Sequence, residues 1–398
     1  MRNCTCDYLK PIHNKQEMNS PLRLLFLVNV DWFFLSHRLP MALAAKEAGY
    51  DVWVAAADTG DGEKIKAYGL KFVPIPVSRS GTGLIAELKS LWAIFRVYRK
   101  LRPDLVHHIS IKPVIYGSLV AKLYPKTPVV NAVTGMGFVF SGDEKASGLK
   151  RIVSAAYRFV LSKNKMRVIF QNEADRNAFV NNKLVSANKT VIIRGSGVDA
   201  SVFKPVKKET DKPGDPIILL ASRMIWDKGV AEFVEAAAIV KEHIPDARFI
   251  LAGKVDDGNP NSVPKEWLQQ KTNEGFVEWL GHRDDMLELI TKTTIIALPT
   301  FYPEGVPKIL IEAAAAGKPI VATDRPGCND IVQDGVNGIL VPERDCKALA
   351  AAILKLLHDP EKMAQMGKAG RQRVLDEFDV RIVTGQTLEL YRKLGAGS

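Results

Sequence analysis

The chain has 398 residues, 46% of them hydrophobic and 25% charged, a globular composition with enough length for two full cores, which excludes a low-complexity or fibrous polymer. No apolar run approaches the ~18 residues of a membrane span, and residues 1–21 are polar with no apolar core of a secretory signal, so a cytosolic location is expected. Charge is uneven: residues 1–205 carry 30 Lys and Arg against 15 Asp and Glu, residues 206–398 carry 25 against 29, which suits a basic first half that faces something anionic.

Residues 1–21 lack periodicity and are expected to form a disordered tail. Residues 22–30 read as a strand, followed by Asp31, Trp32, Phe33 and Phe34 and then a helix over 35–47 that ends at Gly49. Strands at 51–57, 70–77, 104–109 and 128–132 alternate with helices at 84–101 and 113–124. A helix from Gly148 to about 163, a strand at 167–171, a helix at 173–181 and a strand at 190–193 continue the series. This alternation predicts an α/β unit over 22–205 with a parallel, doubly wound sheet. Residues 199–216, rich in Lys, Asp and Pro, read as a linker. The pattern then restarts over 206–378, with strands at 216–221, 247–251, 277–280, 294–298, 319–322 and 338–341, and a last helix at 380–394 lies within 379–398.

The most informative stretch is 294–323. A strand ends at Leu298, and an alanine-rich helix over 306–316 is closed by Gly317. Glu304, Gly305, Val306 and Pro307 occupy the turn between them, where Gly305 permits unusual backbone angles and Pro307 suits a first helical turn. Unpaired N–H groups and the positive end of the helix dipole favour an anion there. Glu304 and Glu312 are eight residues apart, hence roughly 12 Å along a helix axis, too far to act on one bond as paired glycosidase carboxylates do. They suit two ends of one long ligand; on these residues alone, an ordinary helix with one solvated and one half-buried Glu fits equally well.

Glu304 and Glu312, followed by Gly317 to Ala322 and Gly335 to Pro342, together with Gly197 to Pro205, Ser222 to Gly229, Leu251 to Gly253 and Leu280 to Arg283, resemble the family-4 retaining glycosyltransferases. The resemblance extends from about residue 22 to 394. It implies the GT-B fold, two Rossmann-like doubly wound domains facing a cleft, with the 380–394 helix crossing back onto the first. It also implies a nucleoside-diphosphate sugar as donor, with UDP the commonest base among similar proteins, and no cofactor. Arg223 and Lys228 match the family's diphosphate-binding pair; a guanidinium fork grips two phosphate oxygens and a lysine adds a movable charge. By the same carry-over Glu304 contacts donor-sugar hydroxyls, Gly305, Val306, Pro307 and Lys308 touch sugar and phosphate, Glu312 holds the ribose, and His282 and Arg283 lie near the base.

In the first half many relatives carry a Gly-Gly turn after the first strand and a His-x-His at a later strand end. Here Asp31 to Phe34 replace the glycines and Ile109 stands where the second histidine would be, after His107 and His108. His37 and Lys112 are the substitutes as catalytic groups, and the strand-end loop from Thr134 to Gly137 either brings backbone N–H groups close to a ligand or is, equally well, a plain turn. Cys4, Cys6, Cys328 and Cys346 show no ligand spacing and read as free thiols, and with no Asp-x-Asp motif no metal is expected.

The expected activity is therefore transfer of a hexose or N-acetylhexosamine to a glycan acceptor, carried on a polyprenyl diphosphate as in relatives that assemble surface polysaccharide. Two alternatives are a nucleotide-sugar 2-epimerase, for which no acid/base set stands out, and a nucleotide- or nucleic-acid-binding protein. Nucleic acid is not an expected partner, since the basic residues lie on helices of βα units without aromatic interleaving. Basic amphipathic helices at 84–102 and 149–167 predict a peripheral location on the anionic inner face of the cytoplasmic membrane; sheet-covering helices with solvated basic faces are the plainer reading.

Overall fold

The computed structural model describes residues 20–77, 83–135, 147–206, 215–256 and 259–395. The expected tail over 1–21, with Cys4 and Cys6, therefore lies outside the described residues up to residue 19, as do Met136 and Gly137.

Two parallel sheets form the frame. The first contains β1 (Arg23–Val30), β2 (Asp51–Ala57), β3 (Lys71–Pro74), β4 (Leu105–Ile109), β5 (Val129–Val133), β6 (Met166–Phe170) and β7 (Thr190–Ile192), in the order β3-β2-β1-β4-β5-β6-β7. The second contains β8 (Ile217–Ala221), β9 (Arg248–Ala252), β10 (Glu278–Trp279), β11 (Ile295–Leu298), β12 (Ile320–Thr323) and β13 (Gly338–Val341), in the order β10-β9-β8-β11-β12-β13. Helices cover both faces of each sheet, so central strands are buried throughout; every residue of β4 and β5 is buried, including the polar His107, His108 and Asn131.

Each sheet has one point where the strand order reverses, between β1 and β4 in the first and between β8 and β11 in the second. Chain direction splits there, and the loops leaving the carboxyl ends of the two strands part to leave a crevice. The helix Val380–Lys393 returns to the first sheet, where Val383, Leu390 and Tyr391 share a core with Leu24 and Phe26. Its entry is fixed by a bridge from Val198 to Asp379, whose carboxylate caps the helix by accepting from the Arg381 N–H.

Local differences from expectation have local causes. The single helix expected over 35–47 is two, Asp31–His37 and Leu39–Glu47, broken at Arg38 because Pro40 lacks the N–H needed to continue the first. A short helix, Gly62–Ala67, lies between β2 and β3, where no element was expected. The helix after β11 is Lys308–Ala315, with Pro307 at its N-cap rather than inside its first turn. His107 and His108 lie within β4, not beyond its end.

Candidate active site

The loops that leave β1, β4, β8 and β11 converge on one cavity of about 640 Å³ between the two sheets. From the second sheet come Arg223 and Lys228 after β8, and Glu304, Gly305, Val306, Pro307 and Lys308 after β11; from the first come His37 and Lys112. Nine residues singled out from the sequence are thereby brought to one wall-lined space.

Four of the cations in it, Lys112, Arg223, Lys228 and Lys308, have a carboxylate behind or beside them. The Lys228 ammonium lies against Glu304 Oε1. Arg223 Nη1 donates to Asp256, and Lys308 Nζ sits 3.0 Å from Glu312 Oε1. Tyr302 is shared: its ring lies 5.3 Å from Lys228 Nζ and 5.7 Å from the Arg223 guanidinium, close enough for cation–π attraction to hold both side chains. Burial, aided by the Arg223 charge, pulls the Lys228 pKa down to about 7, against the smaller opposing pull of Cys328 and Asp227. The helix Lys308–Ala315 begins at this cavity with no side chain capping its N-terminus; the Leu310 N–H bonds the Pro307 carbonyl, which leaves those of Lys308 and Ile309 as the first-turn donors toward an anion.

Gly305 is needed here for space rather than for backbone angle, since it is absent from the positive-φ residues. A Cβ on it would stand 1.9 Å from Gln171 Oε1 and 3.0 Å from the Thr134 carbonyl. Gln171 Oε1 accepts from the Val306 N–H at 2.9 Å. The turn that carries Glu304 is thus tied directly to the end of β6 in the other sheet. Gly327 closes it from behind: a Cβ there would meet the Gly305 carbonyl at 1.9 Å.

On the first-sheet side, His37 ends the helix Asp31–His37, stacked on Phe33 at 4.4 Å with Ser36 Oγ bonded to its Nδ1. Burial and the nearby charges of Lys308 and Arg38 push its pKa down to about 3, so it faces the cavity as a neutral imidazole. Asp31, in place of a glycine turn, is fully buried and accepts from the N–H groups of Trp32, Thr59 and Asp61 and from the Thr59 hydroxyl. Those bonds outweigh burial and keep its pKa below the usual value. Lys112 is ion-paired with Glu87 at 2.6 Å. His107 and His108 do not line the cavity: His107 Nδ1 bonds Tyr391 Oη at 2.6 Å, and His108 bonds Tyr98 Oη at 2.6 Å and Asn131 Oδ1 at 2.8 Å, all in the core.

Glu312 stands behind Lys308 rather than on the cavity lining; it is 7% exposed, and burial raises its pKa against the pull of Lys308. His282 and Arg283 are also away from the lining, pairing with Asp284 and Asp285 on an exposed turn. The cavity adds residues that sequence reasoning passed over: Trp32, Tyr302, Gln171, and the buried Asn29 Oδ1 and Arg38 Nε, which have no hydrogen-bond partner among the described residues.

Two family models match: residues 203–373 fit the one described as glycosyl transferases group 1, and residues 23–172 fit glycosyl transferase 4-like. Both meet at this cavity. The chain is a group 1 glycosyltransferase of the GT-B fold. The enzyme is 29% identical over 385 residues to the N,N'-diacetylbacillosaminyl-diphospho-undecaprenol alpha-1,3-N-acetylgalactosaminyltransferase of Campylobacter jejuni, spanning 94% of this chain and 99% of that protein. It is 24% identical to the UDP-Gal:alpha-D-GlcNAc-diphosphoundecaprenol alpha-1,3-galactosyltransferase of Escherichia coli, over 80% and 82% of the two chains. Among solved structures, the glycosyltransferase shares its fold with Anabaena HepE in complex with UDP and glucose, at a TM-score of 0.75 and 20% identity over 93% of this chain and 99% of that one.

Proposed function

We propose that this glycosyltransferase transfers a hexose or N-acetylhexosamine, with retention, from a UDP-sugar to a glycan carried on a polyprenyl diphosphate, working against the inner face of the cytoplasmic membrane. The observation that carries the donor half is the meeting of Arg223, Lys228 and the uncapped start of the helix Lys308–Ala315 beside Glu304. A diphosphate there receives two cations and a set of backbone N–H groups, and their hold strengthens as the departing phosphate gains charge. Glu304 then stands at the sugar end of the donor. Glu312, one helical turn beyond Lys308 and paired with it, is assigned to the ribose hydroxyls. His282 and Arg283 are left without a role in base recognition. The acceptor half is supported by the relatives, whose names specify diphospho-undecaprenol-linked sugars.

In the transfer, the bond from the sugar's anomeric carbon to the β-phosphate oxygen breaks and the acceptor hydroxyl oxygen bonds to that carbon from the same face. The acceptor's proton passes to the departing phosphate oxygen, and nucleoside diphosphate is released. Arg223 and Lys228 stabilise that leaving group, and the neutral His37 is placed as a hydrogen-bonding group at the acceptor side. The test is incubation with UDP-N-acetylgalactosamine, UDP-N-acetylglucosamine, UDP-galactose and UDP-glucose, each with a polyprenyl-diphosphate sugar. Acceptor-dependent UDP release and an α-linked product by NMR are expected; UDP-sugar turnover that is indifferent to the acceptor, or a product of inverted configuration, would overturn the reading.

A further inference from the structure

Away from the cleft, the helices Leu84–Leu101 and Ile111–Ala121 lie side by side and leave a second cavity of about 680 Å³ between them. Its walls are apolar, formed by Ile85, Leu88, Trp92, Phe95, Leu119 and Leu123, with Lys89 the charged side chain on its lining. The size is that of a ligand pocket rather than a packing defect. Phe95 and Leu119 form its floor, packed against the core that holds Ile94, Tyr98 and Leu101, whereas Ile85, Leu88, Trp92 and Leu123 stand outside that core. Ile85 is 72% exposed, Leu88 57%, Trp92 59% and Leu123 67%, a contiguous apolar strip of the kind that marks a binding surface.

The same two helices connect the groove to the catalytic cavity. Glu87, between Ile85 and Leu88, accepts from Lys112 Nζ at 2.6 Å and from Tyr116 Oη at 2.8 Å. Lys112 lines the catalytic cavity, Tyr116 follows one helical turn later, and Leu119 and Leu123 continue into the groove. Three environments therefore succeed one another along the helix: a polar cleft, a step carrying a lysine ammonium, and an apolar trough. A sugar joined through a diphosphate to an isoprenoid presents sugar, anion and hydrocarbon in that order.

We propose that the groove is the docking site for the isoprenoid chain of the acceptor, with Lys112 shared between Glu87 and the acceptor's diphosphate. The inference rests on the lipid-linked acceptor proposed above and gives that acceptor a position. Arg96, 4.7 Å over the Trp92 ring, supports the aromatic rim and sets a second cation beside it.

The full chain is titrated with farnesyl diphosphate and, as a control, with inorganic diphosphate, in buffer free of vesicles and detergent. Farnesyl diphosphate is expected to bind at least tenfold more tightly. Leu88→Gln combined with Trp92→Gln, both at exposed positions, should remove that advantage while UDP binding stays at the wild-type value, which confirms folding. The same variant should raise KM for a polyprenyl-diphosphate sugar at least tenfold, leaving KM unchanged for an acceptor in which a methyl group replaces the isoprenoid. Equal binding of the two diphosphates, or an unchanged KM for the polyprenyl acceptor, overturns the proposal. So does a variant that loses only flotation with anionic vesicles, which makes the strip a bilayer contact, or one that only converts a dimer to a monomer, which makes it a self-interface. If no sugar is transferred to any polyprenyl acceptor, yet farnesyl diphosphate binds the wild type and not the variant, the acceptor reading fails and the groove stands.

Discussion

Lys228 and Glu304 neutralise each other on the second-sheet wall of the cleft, and a diphosphate brought to Lys228 must compete with that carboxylate. Glu304→Gln removes the competitor while deleting the charged contact to the sugar. We expect kcat to fall more than tenfold, the equivalent of about 1.4 kcal/mol of barrier, with UDP affinity equal to wild type or tighter. Initial rates and calorimetric titration with UDP check it; a normal kcat would remove Glu304 from the sugar end. Arg223 has the opposite profile. With its guanidinium held between Asp256 and Tyr302, Arg223→Ala should weaken UDP-sugar binding about 10- to 100-fold, and Arg223→Lys should recover only part, since the ammonium lacks the planar fork. Near-normal turnover in the alanine variant would sink the diphosphate assignment. These residues were legible in the sequence, Arg223 and Lys228 because they match the family's pair after a strand, and Glu304 because it stands on a strand-to-helix turn of the same resemblance; position after a strand then puts all three at one end of the sheet. Gln171 was not: its bond to Val306 spans 135 residues, and no local pattern encodes which side chain will cross between sheets. His282 and Arg283 show the reverse error, since a motif places a turn near the site without deciding which way its side chains point.

Secondary structure was legible wherever a strand is buried on both faces or a helix is amphipathic over several turns. The bounds 51–57, 84–101 and 173–181 are found as read, and the helix break at Arg38 was missed because the apolar pattern runs through it. β4 was placed correctly to within a residue, but its histidines were read as if they emerged from its end. Successive residues in a strand face opposite sides, so His107 meets the C-terminal helix at Tyr391 and His108 meets Tyr98. Burial depresses both, His108 to about 4 and His107 well below the usual imidazole value. The unfolded chain then binds protons first as pH falls below ~6.5, so the native state loses stability in that range and regains it as pH rises. For His108 the loss amounts to roughly 2 kcal/mol at pH 5. Calorimetric Tm values between pH 7.5 and 5 should fall accordingly, and His108→Asn should flatten the slope; a Tm indifferent to pH over that interval would contradict the buried, neutral assignment.

At the scale of the whole molecule, the alternation of strands and helices made two doubly wound sheets legible, yet nothing in the alternation says how the sheets meet. They meet through the turn that bears Glu304. Gln171 accepts from Val306, Asn172 Nδ2 reaches the Glu304 carbonyl at 3.5 Å, and Gly135 backs onto the Pro303 carbonyl so closely that a Cβ would stand 3.0 Å from it. Across the cleft, Lys254 lies 5.9 Å from the Trp32 ring. Every donor contact proposed for UDP comes from the second sheet, whereas His37 and Lys112 come from the first, so nucleotide binding and transfer depend differently on this junction. Gln171→Ala leaves the Val306 N–H unpaired in a buried place, which costs about 1–3 kcal/mol in the closed arrangement and nothing once the sheets part. The expected result is UDP affinity within threefold of wild type, kcat reduced about tenfold, and a larger radius of gyration by small-angle scattering that shrinks when UDP-sugar is added. If Gln171→Ala instead weakens UDP and leaves kcat intact, the bond serves the donor site alone and the junction does not couple the two halves.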